Sequence, residues 1–174
     1  MSAPRYTRRG ALAVARRAHK AGVPLRISYY IAFAARKHKV RWALAYALFE
    51  QESNFQKIYG HDAGGLSPGL LVTKKNYRVF RSYVVARRGG GANGVGLGQV
   101  TYWTYIRDHR GLWKPRVQVY LATSIFADYV HYLGEREGAG AYNGGPSTPN
   151  WDYAEDVLDK AIRWRAHLAP RRKK

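Results

Sequence analysis

Glu50, Glu52 and Ser53 stand at the exit of a run, residues 40–49, that is apolar at nearly every position. Such a run reads as a helix buried on most faces, not as an amphipathic surface helix. A carboxylate at its end meets the negative pole of the helix and apolar surroundings, and both oppose ionisation. That is the condition for a general acid, and Glu52 is the candidate. Two positions apart on a helix, the side chains of Glu50 and Glu52 point about 200° apart, so one cleft can use only one of them. Three further stretches carry groups that could act with a general acid: Tyr59-Gly60-His61-Asp62, Gly94-Val95-Gly96-Leu97-Gly98-Gln99-Val100 and Ala141-Tyr142-Asn143-Gly144-Gly145.

Each stretch also has an ordinary structural reading. A Glu at a helix end is commonly a solvated carboxylate, and His61-Asp62 in a glycine-rich loop can serve a turn, because Asp binds its own backbone. Tyr142 and Asn143 ahead of two glycines can simply terminate a helix. The glycines at 94–98 have no following Lys-Ser or Lys-Thr and no clear preceding strand, so they support neither a phosphate loop nor a dinucleotide fingerprint.

The elements that must position these groups are helical. Thr7 can cap a helix over 7–21 that Gly22 stops, and Pro24 opens a second, apolar at Leu25, Ile27, Tyr30, Ile31 and Ala34. The core helix of about 40–53 follows, then an ordered glycine-rich loop over 59–69. Thr73 caps a helix over 73–88 with Tyr77, Phe80, Tyr83 and Val84 on one face, and Thr101 caps a short one over 101–110. Pro115 opens a long helix whose stripe is Val119, Ala122, Ile125, Phe126, Tyr129, Val130 and Leu133, closed by Gly134. The last runs from 150 or 151 to 168, acidic at its start and basic at its end. With no sustained alternation of period two, strands are limited to a short ribbon near the glycines. The expected class is all-α, a compact single domain over 1–174 of six to eight helices, with a helical N-terminal extension over about 1–39 and a frayed basic tail over 169–174.

Composition narrows the chemistry. The absence of cysteine removes disulfides, cysteine-zinc sites and thiol catalysis together. Lys and Arg number 30 against 11 Asp and Glu, a formal charge of +19, which predicts attraction to a polyanion: nucleic acid, anionic lipid or an acidic polymer of a bacterial envelope. Arg16, Arg17 and Lys20 cut the apolar run at 11–15 too short for a signal peptide, and no run approaches a membrane span.

Taken in order, the motifs resemble those of the lysozyme-like superfamily of goose-type lysozymes and soluble lytic transglycosylases. The shared signature is a helix ending in Glu-Ser (Glu52-Ser53), a Gly-Leu-x-Gln-Val segment (Gly96 to Val100) and Ala-Tyr-Asn (Ala141-Tyr142-Asn143) before a last helix. Gly60-His61-Asp62, Thr73-Lys74-Lys75-Asn76-Tyr77 and the segment from Gly94 to Trp103 are more similar still to the catalytic domain of endolysins from phages of actinobacteria. The resemblance covers about residues 40–160.

It implies that Glu52 protonates the glycosidic oxygen between N-acetylmuramic acid and N-acetylglucosamine in peptidoglycan, and it favours Glu52 over Glu50 because Ser53 follows directly. By the same resemblance Ser53, His61, Gly96, Gln99, Trp103, Tyr142 and Asn143 belong to the substrate site, with the backbone around Gly96 admitting the sugar and Asn143 contacting substrate or bracing its loop. Trp103 can equally pack in the core. Inverting hydrolysis needs a second carboxylate roughly 6.5–9.5 Å from the first; Asp62 matches one accessory aspartate of the goose-type family, while Thr101 replaces the other. A lytic transglycosylase needs only the acid, because the substrate's own 6-hydroxyl attacks. The expectation is a muramidase with Asp62 as base, and transglycosylation is the alternative. No cofactor or metal is expected. The expected partners are peptidoglycan and anionic wall polymers, with no specific nucleic acid, no membrane insertion, and a monomeric enzyme. The setting is a phage lysis enzyme made in the host cytoplasm without a signal peptide and released to the wall, or a virion-borne wall hydrolase. A basic nucleic-acid-binding module is the rival from another class, disfavoured because the basic residues are spread along the chain.

Overall fold

The computed structural model describes residues 7–62 and 65–170, so the extreme basic tail over 171–174 lies outside the described residues. Contacts gather into two compact units, Met1–Gln51 with Thr123–Lys174, and Glu52–Ala122. In chain order the helices are α1 (Arg8–Lys20), α2 (Leu25–Lys37), α3 (Trp42–Ser53), α4 (Lys74–Ala86), α5 (Trp103–Asp108), α6 (Pro115–Leu133), α7 (Glu135–Gly144) and α8 (Trp151–Leu168), with a 3-10 turn at Gly96–Gly98. Among the described residues there is no strand, only isolated bridges pairing Ile58 with Leu71, Tyr59 with Val95 and Val95 with Val100. The fold is all-α and lysozyme-like, and the expected ribbon reduces to these bridges beside the glycine-rich segments. No described helix is long and apolar enough to cross a membrane.

In the first unit, α1 begins at Thr7, whose hydroxyl accepts from Gly10 N–H at 3.0 Å, and buries Ala11, Val14, Ala15 and Ala18. That narrow stripe of small side chains at helical spacing lets α1 lie close on α2. Arg17 donates to the last carbonyl of α8, Leu168 O, at 2.8 Å, placing a cation at the negative end of that helix. α3 is buried along its length, from Leu44 to Phe49 without a break. Each of Leu44, Leu48 and Phe49 contributes about 1.5–3 kcal/mol by leaving water. Polar atoms in this core are satisfied by backbone: the Tyr46 hydroxyl donates to Ser28 O at 2.7 Å, and Trp42 Nε1 donates to Ala32 O at 3.2 Å. Burial pushes the Tyr46 hydroxyl far above its ordinary range.

In the second unit α4 carries a capping box: Thr73 Oγ accepts from Asn76 N–H at 3.2 Å, and Asn76 Oδ1 accepts from Thr73 N–H at 2.8 Å. Its buried face, Tyr77, Phe80 and Val84, packs on α5. The Tyr77 hydroxyl shares its proton between the carbonyls of Ile106 and His109 at 3.1 and 2.9 Å. The short α5 starts one residue later than the sequence suggests: its N-cap is Tyr102, without a side-chain cap bond, so Thr101 does not cap it.

α7 is the helix that sequence patterning does not show. Three glycines, Gly138, Gly140 and Gly144, fall within its ten residues, and each lowers helix propensity by about 1 kcal/mol relative to Ala. Packing overrides propensity here. A Cβ built on Gly138 would lie 2.7 Å from the backbone N and Cα of Val130, so α7 crosses α6 with main chains almost in touch. On an open helix face Gly→Ala is stabilising; at this crossing the sign reverses. Gly138→Ala is expected to lower stability by about 1–3 kcal/mol through overpacking, read as a fall in the urea midpoint. A midpoint equal to or above that of the unaltered protein would contradict the crossing.

Candidate active site

α3 ends by diverting its two carboxylates to different tasks. Glu50 is bound on the first unit: Trp164 Nε1 of α8 donates to its Oε2 at 2.6 Å, and Arg163 lies 3.5 Å from its Oε1. It is an ion-paired brace for α8. Glu52, half-buried in the last turn of α3, opens the second unit. Beside it the Ser53 hydroxyl donates to Leu97 O at 2.8 Å, tying the end of α3 to the 3-10 turn of the Gly-Leu-Gly-Gln segment. The helix then stops abruptly: Asn54 and Phe55 both have left-handed backbone, φ 48° and 61°, and Gln56 N–H closes back on Ser53 O at 3.0 Å. Asn tolerates that conformation, but for the bulky Phe55 it is strained by about 1–2 kcal/mol, a cost the surrounding contacts must offset.

Gln99 organises the loop facing that turn. Its backbone is left-handed, φ 45° and ψ 49°, which turns the side chain back over its own segment. Nε2 donates to Gly96 O at 2.7 Å and to Ile58 O at 3.2 Å, joining the segment at 94–100 to the segment at 58–60. Backbone bonds run alongside: Gly96 N–H to Ile58 O at 2.8 Å, and Gly60 N–H to Gly94 O at 2.8 Å. A Cβ on Gly60 would lie 2.4 Å from Gln99 Oε1, so the glycine leaves room for the carboxamide.

The glycine at 96 serves packing in the same way. It has φ +73°, and a Cβ there would fall 2.1–2.4 Å from the carboxamide of Gln118. Gln118, fully buried on α6, accepts from Leu97 N–H at 3.2 Å and donates to Leu112 O at 2.8 Å. On the side of a Cβ, Gly96 is therefore packed against a protein amide.

Asp62 is exposed, and its Oδ2 accepts from Gly94 N–H at 2.7 Å, so the carboxylate spans the two loop segments. His61 is exposed with its ring over Gly69, where a Cβ would meet Cε1 at 2.9 Å. Trp103, half-buried at the start of α5, lies against Gly89 and has the Arg107 guanidinium 5.1 Å from its ring centre. The second unit thus joins Ser53, Gly96, Gln99 and Asp62 through a shared set of loop bonds, and Glu52 directly precedes Ser53 in the chain.

Tyr142 and Asn143 belong to the first unit, at the end of α7. Tyr142 meets the edge of Phe126 with ring centres 5.6 Å apart. Asn143 Oδ1 accepts from Asn150 Nδ2 at 2.8 Å, while Asn150 Oδ1 accepts from Tyr153 N–H as the N-cap of α8. Of its two expected roles, the bond to Asn150 gives Asn143 a bracing one.

Three amides hold the second unit, and sequence reasoning assigns a structural role to none of them. Asn93, fully buried, donates to Gly60 O at 2.8 Å and accepts from Ser67 N–H at 3.2 Å. Gln118 is the second. Asn76 is the third: besides its cap bond it donates to Leu71 O at 2.8 Å and lies 3.2 Å from the Tyr59 hydroxyl that donates to it. The signal for Asn76 was present in the Thr-x-x-Asn-Tyr spacing. For Asn93 and Gln118 no spacing announces the role. Among the described residues no group of three or more His, Asp or Glu side chains converges to hold a metal ion.

An all-helical chain whose buried helix exits through Glu-Ser, with that serine fastened to a loop folded around a left-handed Gln, has the plan of a lysozyme-like glycosidase. The sequence agrees: it matches the family described as Transglycosylase SLT domain over residues 29–161, from within α2 to within α8. The chain belongs to that family and is an enzyme of the lytic transglycosylase and lysozyme-like kind, cleaving glycosidic bonds of peptidoglycan. No curated protein and no solved structure matches the chain.

The fit of Gln118 into the space at Gly96 gives a direct check. Gly96→Ala adds a methyl into the carboxamide and strains a left-handed backbone, for an expected loss of about 2–4 kcal/mol. Denaturant unfolding and wall-clearing activity should fall together; an unchanged midpoint would refute the tight contact.

Proposed function

We propose that this enzyme is a lytic transglycosylase in which Glu52 serves first as acid and then as base. Glu52 gives its proton to the glycosidic oxygen as the bond from C1 of N-acetylmuramic acid breaks, releasing the next sugar as an alcohol. The resulting carboxylate takes the proton of the same sugar's C6 hydroxyl as that oxygen bonds to C1, leaving a 1,6-anhydro end and restoring the acid. No water is consumed. The observation that carries this reading is the match to the Transglycosylase SLT domain over residues 29–161, and Asp108, the other acid of the unit beside Asp62, is paired with Arg107 at the end of α5. A reaction that asks for one acid fits this arrangement better than one that asks for two.

Hydrolysis with Asp62 as base is the second reading, favoured by the exposure of Asp62 and by the Gly94 bond that orients its carboxylate. The motif likeness to endolysins supports a phage lysis enzyme as the setting, with the wall glycan as substrate.

Two substitutions separate the readings. Glu52→Gln keeps shape and removes the proton, and is expected to slow digestion of purified peptidoglycan by about 10²–10⁴-fold. Asp62→Asn retains an oxygen to accept from Gly94 but removes basicity. On the transglycosylase route it keeps most of the rate, and mass spectrometry finds every new muramic end lighter by one water than a reducing end. Reducing ends as the main products, together with loss of activity in Asp62→Asn, would establish hydrolysis instead.

A further inference from the structure

The second unit carries a feature that bond cleavage does not use. From Glu52 to Ala122 the sequence holds eleven Lys and Arg against three acids, and four of these cations, Lys74, Lys75, Arg78 and Arg81, stand on α4. Lys74, Arg78, Arg81 and Arg110 line a groove of about 360 Å³ with Trp113, and an adjoining hollow of about 790 Å³ extends it along Lys75. No acidic side chain lines either.

The groove has a fixed wall and movable charges. Arg81 is held by its bonds to the carbonyls of Ile106 and Arg107, which lock α4 to α5. Trp113 is half-buried, with the ammonium groups of Lys114 and Lys74 at 5.3 and 6.0 Å from its ring centre. Lys75, Arg78 and Arg110 have no ion-pair partner among the described residues. Lys74 and Arg78 sit four apart on one helix face and Lys75 and Arg78 three apart, so like charges repel, and two lysines occupy the first turn, where the helix dipole disfavours cations. α4 itself contains no acidic residue to relieve this. A counter-anion would turn each of these costs into a gain.

We propose that this groove is a docking site for an anionic glycopolymer of the cell wall carrying phosphodiester groups. The unpaired Lys75, Arg78 and Arg110 take successive phosphates, and the Trp113 indole offers an apolar face to the sugar or polyol between them. A single-stranded nucleic acid would suit the charge but calls for a row of stacking faces, and the groove offers one half-buried indole. Docking at α4 would hold the enzyme on the wall while the Glu52 site works on the glycan. The proposal rests on the wall as the place of action, and its test therefore reads binding apart from cleavage.

The test compares the full chain with K74Q/K75Q/R78Q, changes at exposed positions outside the catalytic loops. Sedimentation is measured with intact walls and with walls from which the anionic polymer has been extracted, and cleavage is measured on soluble glycan strands. The expected result is about a tenfold weaker affinity of the variant for intact walls at low salt, with a shallower salt dependence. Both proteins should bind extracted walls equally and cleave soluble strands at the same rate within twofold, and the variant should unfold at a temperature no lower than the unaltered protein, because it loses the repulsion and dipole cost on α4. Equal binding of the two proteins to intact walls would overturn the proposal, as would an equal loss on extracted walls. Tighter binding of single-stranded DNA than of the purified polymer, at equal phosphate and with the same dependence on the variant, would assign the groove to nucleic acid. Absence of strand cleavage by the unaltered protein would sink the catalytic reading and leave the binding result standing.

Discussion

The Gln99 carboxamide is the interaction on which the second unit depends. Its two bonds, to Ile58 O and Gly96 O, fix two loop segments that are also joined by backbone pairs and by the side chains of Asp62 and Asn93. Individually such bonds contribute about 1 kcal/mol, but within a part-buried network each one holds the geometry of the next. The order of dependence can be followed atom by atom. Gln99 fixes Gly96, and Gln118 fixes the adjoining Leu97 N–H. The Leu97 carbonyl receives Ser53, and Ser53 is the last residue of the helix that carries Glu52. A shorter Asn at 99 would not span the same reach, and a Glu would bring no N–H to two carbonyls.

This chain of contacts accounts for the backbone strain after the acid. Asn54 and Phe55 take left-handed conformations in succession, so α3 ends within two residues of Glu52 without fraying into a further turn. A general acid must be held within a fraction of an ångström of its substrate oxygen to be effective. An abrupt stop fastened through Ser53 meets that requirement where a tapering helix end would not. The strain and the anchor belong to one device: the anchor keeps the strained turn from relaxing, and the strained turn delivers the chain into the segment that Gln99 closes.

Periodicity carried much of the fold, because α4 and α6 state their buried stripes in their sequences, while α8 is marked by its acidic start and basic end. α7 escaped it because its glycines answer to the close approach of Val130 and not to helix propensity. The site was legible in part for a related reason. Glu52 and Ser53 announce themselves by ending an apolar run, and Thr73 with Asn76 by the spacing of a cap. Gly96 reads by resemblance as a place where the sugar comes close, and a Cβ at Gly60 or Gly96 would meet Gln99 or Gln118. A glycine records that something approaches the backbone; it does not record whether that is substrate or protein. Asn93 and Gln118 are buried amides whose partners lie in distant segments, and no local pattern encodes such a pairing.

The bonding of the loops also bears on the reaction. A hydrolase must hold a water molecule and a base in register with the acid, whereas on the proposed route the nucleophile is a hydroxyl already attached to the sugar being cleaved. Tethering of that kind makes the second step effectively unimolecular and removes the need for a separate, freely poised base. What the protein must then supply is one proton-transferring group and a rigid, largely uncharged bed for a neutral glycan. Around Gln99 the loops are built of backbone bonds, carboxamides and glycines, with Asp62 held by Gly94 N–H, which suits the bed the proposed route asks for. Part of the positive charge of the chain stands on α4 and around Trp113 in this unit, where on the proposed reading it can meet a polymer. On the proposed reading, the attraction that finds the wall and the group that cuts it are carried by different residues of the unit, the cations of α4 and Glu52.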